Sequence, residues 1–437
     1  MKLWTCASLL SLAVFVAACD RGFILEGERF PLRAPFSENA GEVPDNRALP
    51  ISLPASVTNS EWTHRLGSPS TRITHPALGG GLQQLWSVQI GQGDGRRHRI
   101  TAEPVASGGL IYTLDSRAQV TAVGTNGEVA WTRDLTPGFT RSADSASGGG
   151  LAIADSKLFV SSAFGMLWAF DLASGAEVWS KRFDAPLTAA PTTAGGSVYV
   201  VASNSTGWAL NAATGQTDWQ LSGAPSPSSM VGGAAPAVAG ELVLFPTSAG
   251  ELIAARRDTG QIMWRRAVAG TRIGVAYASV TDVTGDPVVQ GDVIYVGNQS
   301  GRVMALNRSD GRIIWTANEA AYGPVWPVGG SIFLMSDRNR LVRLDASTGE
   351  FIWGESLPLF TQTRERRRAE IFAHYGPVLA GGRLIVGSGD GALRSFDPAS
   401  GALVAETELR SGAAIAPIVV GGTLYVISRD GRLTAYR

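Results

Sequence analysis

The sequence predicts an all-β fold: an eight-bladed β-propeller of four-stranded antiparallel blades, closed by pairing strands from the two chain ends. Three observations predict it. A cassette of turn, β-rich run, second turn and tryptophan keeps returning. Its copies close at Trp131, Trp179, Trp219, Trp264, Trp315 and Trp353, with a period of about 38–52 residues, the spacing of propeller or solenoid units. The two ends of the chain supply complementary parts of one further unit, which favours a ring over an open array.

Each cassette resolves into four short strands. In the stretch 287–315, Pro287-Val288-Val289 enters and Gly291-Asp292 turns, and Val293 to Val296 alternates as a half-buried strand. Ser300-Gly301 turns again, Val303 to Leu306 forms the next strand, Asp310-Gly311 turns, and Ile313 to Trp315 closes the unit. Glycine supplies the positive φ of tight turns, and β-branched runs suit a pleated surface. The same parse fits 191–219, 236–264, 327–353 and 377–405, where Ala405 takes the tryptophan slot, and 104–131 and 154–179 fit with small deviations. Trp86 lies in an outermost strand with no inner strands before it, whereas 417–437 supplies inner strands with no tryptophan strand after them. Joined, they form the eighth blade and remove the open edge that a linear array would expose.

One tryptophan per unit in the same slot is expected to pack between adjacent blades, each burying ~150–250 Å². Trp208 and Trp326 lie outside that slot and are better candidates to stack on a ligand or partner, with core packing the favoured reading of both.

Bulk composition narrows the function. Formal net charge is zero, which gives no support for a nucleic-acid partner, whose usual footprint is a basic face. The two cysteines, Cys6 and Cys19, leave the body of the chain without a disulfide, a thiolate metal site or a thiol nucleophile. The four histidines, His64, His75, His98 and His374, are scattered and read as loop residues. No Ser-His-Asp arrangement, phosphate loop, H-E-x-x-H or C-x-x-C-H sequence occurs. Asp310, Asp390 and Asp430 sit in turns, where aspartate forms local hydrogen bonds. The chain is therefore expected to be no enzyme and to need no cofactor.

The N-terminus begins with Met1-Lys2 and an apolar run from Leu3 to Ala17, the length of a signal-peptide core and too short for a membrane span. It ends in Val16-Ala17-Ala18-Cys19, which resembles a bacterial lipobox with Cys19 as the lipidated residue. The expected organisation is a signal peptide over 1–18, the lipidated cysteine and a flexible tether over 19–81, and the propeller over 82–437. Lipid on Cys19 would hold the protein to a membrane facing the periplasm. The outer membrane is expected, with Asp20 leaving the inner membrane open. Beyond the cassettes, the loop at 363–372 stands out. It sets Arg364, Arg366, Arg367 and Arg368 beside Glu365 and Glu370, a candidate contact for an anionic partner.

The cassette A-L-N-x-x-D-G-x-x-x-W resembles the pyrroloquinoline-quinone-type propeller repeat. Quinoprotein alcohol dehydrogenases share it but use a vicinal disulfide that this body cannot form. The stretches TGQIMWRRAV, SDGRIIW, GRVMALNRSDG, DRNRLVRLDASTGEFIW and the terminal SRDGRLTAYR, together with the lipobox and the count of eight, resemble the outer-membrane protein assembly factor B family. Members are lipoprotein subunits of the β-barrel assembly machinery. The resemblance implies a non-catalytic scaffold that binds the central barrel-assembly subunit and assists nascent outer-membrane β-barrel proteins.

In that family two neighbouring inter-blade loops bind the central subunit. The first typically carries Leu-x-Leu-Arg before Ala-Pro. Here Ser228-Ser229-Met230-Val231 stands ahead of Ala235-Pro236, so Met230 keeps the apolar character and Val231 replaces the arginine. The second typically reads Asp-x-Asp ahead of Pro-Val-Val. Here Asp282 matches, Thr284 departs, and Asp286 precedes Pro287. Met230 and Asp282 are the candidate partner-binding residues. Two other readings remain open at this point, a quinone-dependent dehydrogenase-like protein and a periplasmic ligand-binding or sensor propeller.

Overall fold

Thirty-two strands sort into eight four-stranded antiparallel sheets among the described residues. The structure is a computed structural model and describes residues 45–140, 147–226, 230–270, 272 and 280–437. Blades 1 to 7 are simple meanders over 105–134, 149–182, 192–222, 237–267, 288–317, 326–356 and 374–408. Blade 8 takes three strands from 418–436 and its outermost strand from Gln84–Gln89. That strand pairs antiparallel with Arg432–Tyr436, and Gln83 and Arg437 exchange two backbone hydrogen bonds at 2.9 and 3.0 Å. The ring closes as the chain ends require.

The tryptophan cassette has a geometric basis. Each indole N–H donates to a backbone carbonyl of the following blade: Trp86 to Thr125, Trp131 to Leu172, Trp179 to Ala212, Trp219 to Arg257, Trp264 to Arg308, Trp315 to Ala346 and Trp353 to Pro398, at 2.9–3.3 Å. Each indole also lies on the glycine of that blade's last hairpin. At Gly260 (φ +72°), for example, a Cβ would stand 2.6 Å from the Trp219 ring. The glycine four residues before each of Trp131, Trp179, Trp219, Trp264, Trp315 and Trp353 therefore seats the tryptophan of the preceding blade. Ala405 breaks the pattern for the same reason. Blade 8 has no last hairpin, because the chain enters and leaves there, so an indole at 405 would have no glycine turn to rest on.

Residues 45–81, read from composition as part of a tether, lie in the same compact unit as the blades. They run around the ring axis and meet the eight blades in turn. Asn59 bonds to Val419 and Gly421 of blade 8, and Trp62 pairs with Ala106 of blade 1. Thr63 accepts from Ile153 of blade 2, and His64 accepts the Thr193 N–H of blade 3 at 3.0 Å. Pro69 and Ser70 accept from Val238 and Val289 of blades 4 and 5. Arg72 donates to Pro324 and Val325 ahead of blade 6, and His75 and Pro76 meet Gly382 and Gly381 of blade 7.

This segment forms a plug at one mouth of the channel. Trp62 is 1% exposed. Arg65 forms ion pairs of 2.8 Å with both Glu103 and Asp286. Burial acts to lower the Arg65 pKa, but the two carboxylates outweigh it and hold the guanidinium above its ordinary value. Burial pushes the His64 imidazole down to about 3, so it accepts from Thr193 as a neutral ring. No sequence period marks the plug because each of its residues meets a different blade.

Candidate functional site: the loops at Met230 and Asp282

Strand direction alternates within each blade, so hairpins between first and second and between third and fourth strands share one face of the ring. The connections between blades share the other. The plug meets the innermost strands near the hairpin face. Met230, in the connection from blade 3 to 4, and Asp282, in the connection from 4 to 5, both lie on the connection face.

The structure brings these two residues together. The Met230 backbone N–H donates to Asp282 Oδ2 at 2.9 Å, tying one connection to the next. With Thr188, Ser203, Ser248 and Val283 they line a shallow cleft. Asp282 is largely buried there. Burial pushes its carboxyl up to about 6, against the lowering effect of the Met230 N–H. Met230 is half-buried, and Val231 beside it is 51% exposed. The loop thus offers an apolar side chain where the resemblance implies an arginine. Ser228 and Ser229 lie outside the described residues, as do Cys19 and Asp20.

Thr284 and Asp286 point elsewhere. Thr284 is buried and donates to the Ala321 carbonyl at 2.7 Å. Asp286 is 1% exposed and belongs to the plug: its Oδ1 accepts from Arg65 and from the Ala235 N–H at 2.8 and 2.9 Å. It therefore holds the interior rather than adding to the surface around Asp282.

Neither extra tryptophan offers a free ring. Trp326 is buried against Trp62, with the Arg72 guanidinium 4.9 Å from its ring centroid. Trp208 packs edge-on to Phe183 at 4.9 Å and donates to Gln220. His64, His75 and His374, expected as ordinary loop residues, are buried and hydrogen-bonded. Asp310 and Asp390 pair with Arg312 and Arg394, and Asp430 accepts from Ser428. Among the described residues, no group of three or more His, Cys, Asp or Glu is arranged to hold a metal ion.

The family model described as outer membrane protein assembly factor BamB matches residues 116–355 and 361–437, well over half of the chain. The chain belongs to the BamB family. Outer membrane protein assembly factor BamB of Shewanella oneidensis is 27% identical over 356 residues, covering 80% of this chain and 87% of that protein. Among solved structures, BamB from Moraxella catarrhalis superposes with a TM-score of 0.67 at 21% identity, covering 82% of this chain and 100% of that one. Quinohemoprotein alcohol dehydrogenase from Comamonas testosteroni shares the fold, with a TM-score of 0.66 at 16% identity over 87% of this chain and 81% of that one.

Against the BamB family model, the plug at 45–81 lies ahead of the matched residues, and the match is interrupted between 355 and 361, where the arginine-rich connection begins. Sequence reasoning missed the plug's anchoring residues. One signal was present. The third strand of most blades carries a small residue opposite the tryptophan slot: Ala122, Ala169, Ala209, Ala254, Ala305, Ser395 and Ala435. Blade 6 has Arg343 there. Its guanidinium is buried and donates to the carbonyls of Leu49 and Pro50, which fastens the incoming segment to blade 6.

Proposed function

We propose that this BamB-family chain is a non-catalytic scaffold lipoprotein of the β-barrel outer-membrane protein assembly machinery. On this reading Cys19 carries the lipid, and the ring faces the periplasm from the outer membrane. The connections around Met230 and Asp282 bind the central barrel-assembly subunit, and the ring assists nascent outer-membrane proteins. The observation that carries the reading is the Met230–Asp282 hydrogen bond of 2.9 Å. It presents two loops that are far apart in sequence as one surface, at the positions the family resemblance implies.

Val231 changes the chemistry of that surface. An exposed valine in place of arginine calls for an apolar contact on the partner, so the partner of this chain is expected to carry a matching apolar patch. The plug bears on the ligand-binding alternative, since Trp62, Arg65 and Arg72 occupy one mouth of the channel that a small molecule would need. Photo-crosslinkers placed at Val231 and Met230 in intact membranes test the proposal. Recovery of the central barrel subunit supports it, and failure at both positions sinks it.

A further inference from the structure

The connection from blade 6 to blade 7 is a built arm. Phe360 and Ile371 bridge antiparallel, Thr361 donates to the Glu370 carbonyl at 3.1 Å, and Phe372 donates to that of Leu359 at 2.9 Å. Its base is fixed. Asn339 Nδ2 donates to the Phe372 carbonyl at 2.8 Å, and the His374 ring bonds to that of Pro358 at 2.8 Å. The tip is a single 3-10 turn, Glu365–Arg367, and Arg364, Arg366, Arg367 and Arg368 are all exposed on it. Arg368 pairs with Glu365 at 3.7 Å and lies over the Phe360 ring at 5.0 Å. Arg364, Arg366 and Arg367 have no ion pair among the described residues. Ile371, 51% exposed, and Phe360, 38% exposed, stand behind the arginines.

A second observation places this arm beside the point where the N-terminal part of the chain joins the ring. Asn46 and Arg47 run antiparallel along the outer edge of Phe351–Ser356. Asn46 bonds to Gly354 and Glu355, and Arg47 bonds to Ile352 and Phe351, at 2.6–3.0 Å. Followed backwards, the chain therefore reaches residue 45 at the Ser356 end of that strand. The arm leaves from the same end, on the connection face. Residue 45, where the described chain begins, and the arginines at the tip of the arm thus belong to the same end of blade 6.

The geometry points to this arm as a second membrane contact: a basic and apolar tip that docks on an anionic lipid surface. The inference rests on the lipoprotein reading above. A polybasic patch adds to membrane attachment by lipid, and arginines near an anionic surface are attracted over about one Debye length. Arginine can also keep its charge at the headgroups while apolar neighbours sink further. On that reading the lipid would keep the ring near the membrane, and the arm would fix which edge of the ring faces it.

The test removes the lipid. Chain 19–437 carrying Cys19→Ser is mixed with vesicles of phosphatidylcholine alone or with about 30% phosphatidylglycerol, and binding is read by flotation. Expected is salt-sensitive binding to the anionic vesicles, reduced about tenfold or more by combining Arg364→Gln, Arg366→Gln, Arg367→Gln and Arg368→Gln. An unchanged unfolding temperature confirms that the variant is folded. Equal binding to neutral vesicles, no binding to either, or full binding by the glutamine variant would overturn the inference. Binding to an acidic protein but not to vesicles would also overturn it. Crosslinking at Val231 does not depend on the arm, so the two proposals fail separately.

Discussion

A tryptophan on a blade rim is stabilising here because a glycine turn waits for it on the next blade. Trp353 is fully buried on Gly401 and bonds to the Pro398 carbonyl, so Trp353→Ala should cost about 3–5 kcal/mol. Ala405→Trp should restore the repeat yet change stability by no more than about 0.5 kcal/mol, because blade 8 has no such turn. Chemical denaturation of the two variants checks both, and a clear gain at 405 would refute the seating argument. Asp282 gives a prediction with a sign. Its folded pKa of about 6 lies above the ordinary 3.8, so the folded state holds the proton more tightly. Its contribution to stability is present at low pH and lost as pH rises from about 4 through 6. Asp282→Asn keeps an acceptor for the Met230 N–H without titrating. It should therefore be more stable than the native chain by about 1–3 kcal/mol near pH 7.5, with the gap closing towards pH 4. A pH-independent gap would show that Asp282 is not the titrating group.

At the level of elements, the blades and the plug are specified in different ways. A blade is written as a period, with alternation for the strands, glycine for the hairpins and tryptophan for the rim. The order and pairing of strands were therefore legible from residues such as Gly311 and Trp315. The plug is written as single contacts. Trp62 serves blade 1, His64 blade 3 and Arg72 blade 6, which leaves a Pro- and Ser-rich stretch that looks like a linker. Arg343, out of place in its strand, was the trace it left in the repeat. The candidate site was legible only as a resemblance. The hydrogen bond joining Met230 to Asp282 spans 52 positions, and the diversion of Asp286 to Arg65 spans 221. No local pattern encodes contacts of that range. The ion cluster predicts how the plug fails. Arg65→Ala strands the Glu103 and Asp286 carboxylates in the interior, a loss of about 3–5 kcal/mol if the plug stays in place. The relief is to release the plug, so limited proteolysis should cut within 45–81 far faster than in the native chain while the blades resist. Unchanged protection of that segment would contradict the account.

On the scale of the whole molecule, the ring divides its work between faces. The hairpin face carries the plug. The connection face carries the Met230–Asp282 loops, the arginine arm and the end of blade 6 where the N-terminal part joins. A quinone enzyme of the same fold shows that the blades alone do not choose a function, and in this chain the differences between copies lie in the connections and the plug. On the proposed function, the connection face binds the barrel-assembly subunit. The most direct measurement is crosslinking in membranes with the photoreactive residue at Val231, compared with Glu241, an exposed turn residue on the hairpin face. Capture of the central subunit is expected from Val231 and none from Glu241. Equal capture from both positions, or none from Val231 with the subunit present, would contradict it.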